Sequence, residues 1–178
     1  MRFLALVIFV IALTSCSINS DKENEVNEGF STDESSKLFF KNVRKSYYDL
    51  TVLEEAKLET YRFKKRVVED DEPILNLAIV NNWRFDEAYV LLEPNVLLKM
   101  DDLKIRWSEE TGIQELVFAN TNKESHLTFA DKVFGLINSE IEMEVWTGED
   151  WNPFLNTSQS KEAFRITMYD YYRLVRRL

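Results

Sequence analysis

Residues 3–13 of this chain read FLALVIFVIAL, an unbroken apolar run followed closely by a polar, acid-rich stretch. A helix rises about 1.5 Å per residue, so the run covers roughly half of a bilayer core about 30 Å thick. It is too short to span a membrane, and it has no polar face to turn to water from a globular core. A buried N-terminal helix is the competing reading, and the sequence SINSDKENEVNEGFSTDESS over 17–36 argues against it. That stretch holds six acids, one Lys and few apolar residues. It cannot bury enough surface to offset the entropy of ordering it, so it reads as a disordered tether. Folding is left to residues 37–178, the size of one domain, which buries about two-thirds of its unfolded surface without needing staples.

Met1 and Arg2 put positive charge ahead of the apolar run, which gives it the flanks of an export signal. Leu13-Thr14-Ser15-Cys16 then resembles the lipobox of bacterial lipoprotein signal peptides: a Leu, two small residues, then Cys. The resemblance covers residues 1–16. It implies that 1–15 are cleaved as a signal peptide, that Cys16 carries a diacylglyceryl thioether, and that the new amino end is acylated. Each buried methylene contributes about 0.8 kcal/mol, so two or three acyl chains anchor firmly where one would not. In enteric lipoproteins an Asp after the lipidated Cys marks inner-membrane retention. Ser17 stands there in this chain, so the resemblance favours the outer membrane. An acidic stretch close to the Cys, of the kind spanning Asp21, Lys22, Glu23 and Glu25, directs surface export in Bacteroidota-type lipoproteins, which makes the cell surface a second expected location beside the periplasmic face.

Cys16 is the only cysteine. A lone Cys also serves as a free thiol or a dimer bridge, but neither use explains its place at the end of the apolar run. Lipidation of this thiol leaves none for a disulfide or for cysteine catalysis. With 31 acidic against 22 basic residues the formal net charge is −9, which argues against general binding to nucleic acid or to anionic membranes. Twelve Phe, four Trp and seven Tyr supply a large interior.

Within the domain, Phe39, Val43 and Tyr47 fall at helical spacing, which predicts a helix over 37–49 with Ser35 or Ser36 as cap. Residues 57–68 alternate as an exposed or edge strand. Apolar runs at 74–83 and 87–93, joined through Arg84-Phe85-Asp86, read as a hairpin. Residues 104–108 and 113–119 form a second strand pair. A helix is expected over 128–139, with Thr128 and Asp131 at capping-box spacing. Residues 141–147 and 151–155 then read as a hairpin turning at Gly148. The final helix, 160–178, carries Phe164, Met168, Tyr171 and Val175 on one face, with Ser160 as its cap. This order predicts an α+β fold: one antiparallel sheet of about five or six strands with helices packed on one face, including a C-terminal helix.

Searched for chemistry, the domain offers little. His126 is its single histidine, placed in a polar loop before the expected helix, and without a free Cys it makes neither a zinc site nor a Cys–His pair. No nucleophile elbow, phosphate loop or zinc-protease motif is present. Asp70-Asp71-Glu72 lacks the ligand spacing and glycine of a calcium loop. Asp86-Glu87 and Glu149-Asp150 sit at expected turns and are candidates for a glycosidase carboxylate pair only if two acids meet in one cleft. No catalytic residue, metal site or cofactor is assigned.

The candidate binding surface consists of Asn81, Asn82, Trp83, Arg84 and Phe85 at the first hairpin tip, with Trp146 and Trp151 at the later one. Amides, a guanidinium and indoles bind partners well, yet they serve equally to satisfy a hairpin backbone or close the core. The leading expectation is therefore a lipid-anchored, non-catalytic interaction domain with a protein partner in an envelope assembly or transport complex. A carrier for a small apolar or sugar ligand is the alternative, and a carboxylate-dependent hydrolase the third. Nothing in the sequence specifies the oligomeric state.

Overall fold

The computed structural model describes residues 29–68 and 71–177. The expected signal peptide over 1–15, Cys16, residues 17–28 and Asp70 lie outside the described residues. The fold is α+β, but the strands form two four-stranded antiparallel sheets rather than one larger sheet.

The first sheet is a meander of β1 (Tyr48–Leu53), β2 (Leu58–Phe63), β3 (Leu75–Asn82) and β4 (Glu87–Pro94) in that spatial order. Its register puts Tyr61 opposite Ile79 and Ile79 opposite Val90. These residues lie on the face that holds the core, where all three are almost wholly buried. β2 is therefore an internal strand, not the expected edge strand. The edge is β1, formed by residues that the 37–49 helix reading had partly absorbed. The helical segment starts earlier and ends earlier than predicted. Asp33 caps α1 (Glu34–Phe39) by accepting the Ser36 N–H at 2.7 Å, which places Ser35 and Ser36 inside the helix. The chain then loosens into a π turn over Phe40–Arg44 and tightens into a 3-10 turn over Lys45–Tyr47 before β1 begins.

Residues 29–36, read from composition as part of the tether, pack onto the domain. Phe30 is buried, and Ser31 bridges Glu87. This contact explains why one sheet became two. Without it β4 would be an unpaired edge, open to pairing with a further strand. Here the edge is already occupied. Thr32 N–H donates to Asp86 O at 2.7 Å, Ala88 N–H to Phe30 O at 2.8 Å, and Leu92 N–H to the Nδ1 of His126 at 3.1 Å. The strands that follow must pair among themselves.

They do so as β6-β5-β7-β8, from β5 (Lys104–Glu109), β6 (Gly112–Val117), β7 (Met143–Trp146) and β8 (Trp151–Phe154). β5 is central, paired with β6 through a hairpin and with β7 after α2 (Lys123–Asn138) intervenes. Asn122, not Thr128, caps α2, accepting the Ser125 N–H at 2.7 Å. His126 consequently sits in the first turn of a helix rather than in a loop. α2 packs against β4 on one side, while its Phe129 meets Phe118, just beyond β6, ring to ring at 5.9 Å. α3 (Ser158–Leu174) is capped by Thr157 rather than Ser160 and packs against α2, β3 and β4. One continuous core results, with Ile79 and Val90 from the first sheet, Ile105 and Val145 from the second, and Val133 and Met168 from the helices. No described helix is long and apolar enough to cross a membrane.

Candidate functional site

β5 and β7 alternate, so every second residue turns away from the core. On the second sheet this outer row carries Lys104 and Arg106 from β5, Glu144 and Trp146 from β7, and Trp151 from β8. Ile113, Glu115 and Val117 of β6 extend it. Register brings Arg106 beside Glu115 on one side and Glu144 on the other, and Trp146 opposite Trp151.

The two indoles pack against each other, with ring centres 5.5 Å apart and planes tilted by 58°. Gly148, at φ 96°, permits the tight turn that joins their strands, a conformation that side chains with a Cβ rarely adopt. The Lys104 ammonium lies 4.6 Å from the Trp146 ring centre, and the Arg106 guanidinium lies 4.4 Å from that of Trp151. Opposite charges orient both cations, Glu144 beside Arg106 and Asp102 3.7 Å from Lys104. Arg106 Nε donates to Glu144 at 2.6 Å, and the Trp146 N–H donates to Asp102 at 3.0 Å. The result is a fixed row of indole faces and cations, half-buried by one another. Ile113 and Val117 at its margin are 64% and 59% exposed. A hollow of about 530 Å³ opens beside it, lined in part by Arg106, Ile113 and Glu144.

The first hairpin tip is separate. It belongs to the other sheet, and among the described residues no ring there contacts Trp146 or Trp151. Asn81 faces inward at 4% exposure and donates to Glu59 at 3.0 Å. Asn82 satisfies the hairpin's own backbone, accepting the Arg84 N–H at 3.1 Å. Trp83 is half-buried beside Lys57, and Phe85, under the Arg84 guanidinium, is 63% exposed. The sequence-predicted surface thus divides. Trp146 and Trp151 form a built face, Trp83, Arg84 and Phe85 form an isolated tip, and Asn81 and Asn82 have structural roles.

Of the groups considered for catalysis, His126, Asp86 and Glu87 are engaged elsewhere, and Glu149 and Asp150 are exposed at their turn. His126 is 4% exposed, with its Nδ1 held by the β4 backbone, and burial lowers its pKa. Asp86 pairs with Lys37, and Glu87 pairs with Lys123. Asp71 and Glu72 are exposed, and no cluster of three potential metal ligands occurs among the described residues. Lys104, Arg106, Ile113 and Val117 were not singled out from sequence. The alternation of KIRWSE and GIQELV was the available signal, but alternation alone does not say which face stays open.

A second concavity, about 920 Å³ in volume, lies between the end of β2, the end of α2 and the start of α3. Phe63, Ile137 and Ile166 line it, with Lys65, Lys161 and Arg165. Against protein-family models, curated proteins and solved structures alike, the chain finds no match.

Proposed function

We propose that this protein is a lipid-anchored envelope lipoprotein whose domain is a non-catalytic interaction module, engaging a protein partner through the outer face of its second sheet. The observation that carries this reading is the Trp146–Trp151 pair, half-buried and held against Lys104 and Arg106 on the outer face of the second sheet. Tryptophan and arginine are enriched among the residues that dominate the energetics of protein interfaces, the one bringing large apolar area and the other directional hydrogen bonds. Exposed Ile113 and Val117 extend the same face with apolar surface that a monomer gains nothing by displaying. Anchoring through Cys16 concentrates the module at the membrane, so a modest contact suffices for a stable assembly.

The test is a photoreactive residue at position 113 in the full chain, expressed in its host and cross-linked in intact cells. One stoichiometric envelope protein is expected, lost when Trp151→Ala or Arg106→Glu is added. A cross-link that persists undiminished in both variants, or no cross-link at all, removes this face as the interface. Mass spectrometry of the membrane-extracted protein reads the Cys16 modification independently.

A further inference from the structure

We propose that the groove between β2, α2 and α3 is a binding site for a single-chain anionic amphiphile, with its acyl chain along the apolar floor and its headgroup at the basic rim. The groove adjoins the hollow beside the sheet face above, since Lys161 lines both, but Lys104, Arg106, Trp146 and Trp151 take no part in it, so neither reading depends on the other.

Three observations carry the assignment. The first is size. At about 920 Å³ the groove falls within the range of small-molecule sites, and it lies between a sheet and two helices, where such sites commonly form. The second is the floor. Phe63 and Ile137 are buried core residues that nonetheless reach the groove, and half-buried Ile166 lies with them, so the base is continuous with the hydrophobic interior. Water over such a floor is readily displaced by hydrocarbon, each methylene contributing about 0.8 kcal/mol.

The third observation is charge. In a chain of net charge −9, the groove is lined by Arg44, Lys65, Lys161 and Arg165 against only Glu140 and Glu162. Arg44 is committed to Asp170, and Arg165 to Glu162. Lys65 and Lys161 carry no ion pair among the described residues. They come from different elements, Lys65 just after β2 and Lys161 in the first turn of α3, and the side chain of Gln159 bridges those elements by donating to Lys65 O at 3.2 Å. Two available ammonium groups on a tied rim fit a carboxylate or phosphate head. A neutral head would leave both without compensation for the water they lose.

The experiment titrates the full mature chain with laurate, dodecyl phosphate and dodecanol, each below its aggregation limit, by calorimetry and native mass spectrometry. Both anions are expected to bind at one-to-one stoichiometry, and dodecanol at least ten-fold more weakly. The order of the two anions separates a fatty-acid ligand from a phospholipid-derived one. The double substitution Lys65→Glu/Lys161→Glu lies outside the core. It should retain the thermal midpoint and weaken laurate at least ten-fold. Hydrogen exchange with laurate bound should protect residues 158–166 and the end of β2. Equal binding of dodecanol, unchanged affinity in the double variant, protection confined to other segments, or no binding of either anion would each overturn the proposal.

Discussion

At the residue scale the most informative side chain is His126, an imidazole used as a backbone acceptor. Burial holds its pKa below the ordinary 6.5. The unfolded chain takes up a proton as pH falls through about 6.5 while the folded chain does not, so stability declines from there until the depressed folded value is reached. Asp131 acts in the opposite sense. Burial raises its pKa against the hydrogen bond from Tyr172, so its contribution is full below 3.8 and lost as pH rises through the folded value. Urea unfolding of wild type and His126→Ala between pH 5 and 8 separates the two. The variant should lose the His-dependent slope and be less stable at pH 8 by about 1–3 kcal/mol, because the Leu92 N–H loses its acceptor. An unchanged slope would show that His126 is not the titrating group. A second residue of this kind is Asp170, which accepts Arg44 Nε at 2.8 Å and the Tyr48 hydroxyl at 2.6 Å, tying α3 to the start of the first sheet. Asp170→Ala leaves a partly buried guanidinium uncompensated and should cost on the order of 3 kcal/mol, read from the denaturation midpoint.

At the element scale the helix starts are set by Asp33, Asn122 and Thr157. Asn122→Ala and Thr157→Ala should each cost about 1 kcal/mol, whereas Thr128→Ala, at an exposed position inside α2, should change stability little. Equal losses at Asn122 and Thr128 would contradict the capping assignment. The Asp33 cap adds an acid-sensitive contribution. Its carboxylate is held at about 2 chiefly by the Ser36 backbone N–H, so the stabilisation is complete above 3.8 and lost as pH falls through about 2. Element types were largely legible. Strands β3 to β8 and helices α2 and α3 each overlap a segment expected to be of that type, although α2 begins five residues and α3 two residues before the expected start. The misses have particular causes. Ser35, Thr128 and Ser160 are good capping residues by type, but a cap is chosen by where the backbone turns into the helix. That turn fell several residues earlier, beside Asn122 and Thr157. β1 was missed because Phe39, Val43 and Tyr47 do lie in one helical run, and only the pairing of Tyr48 with Phe63 ends it.

At the scale of the whole molecule, one core joins both sheets, with α2 packed on β4 and its Lys132 over the Trp107 ring of β5. Unfolding should therefore be a single transition. Far-ultraviolet circular dichroism reports every helix and strand, while tryptophan fluorescence is weighted to the second sheet through Trp107, Trp146 and Trp151. The two should give coincident thermal midpoints, and separated midpoints would mean that the second sheet melts on its own. The sequence by itself determined the strand and helix character of most of the described residues, and it carries the lipobox-like motif on which the proposed envelope location rests. Those properties depend on local composition and on periods of two and 3.6 residues. Only the tertiary structure decided that Phe30–Thr32 and His126 occupy the β4 edge, that the strands divide into two sheets, and that Trp146 and Trp151 share an open face while Trp83 and Phe85 stand apart. A period of two assigns each residue to one of two faces. Which face is covered depends on partners distant in sequence, such as Tyr48 and Asp170, 122 residues apart, and no local pattern encodes that choice.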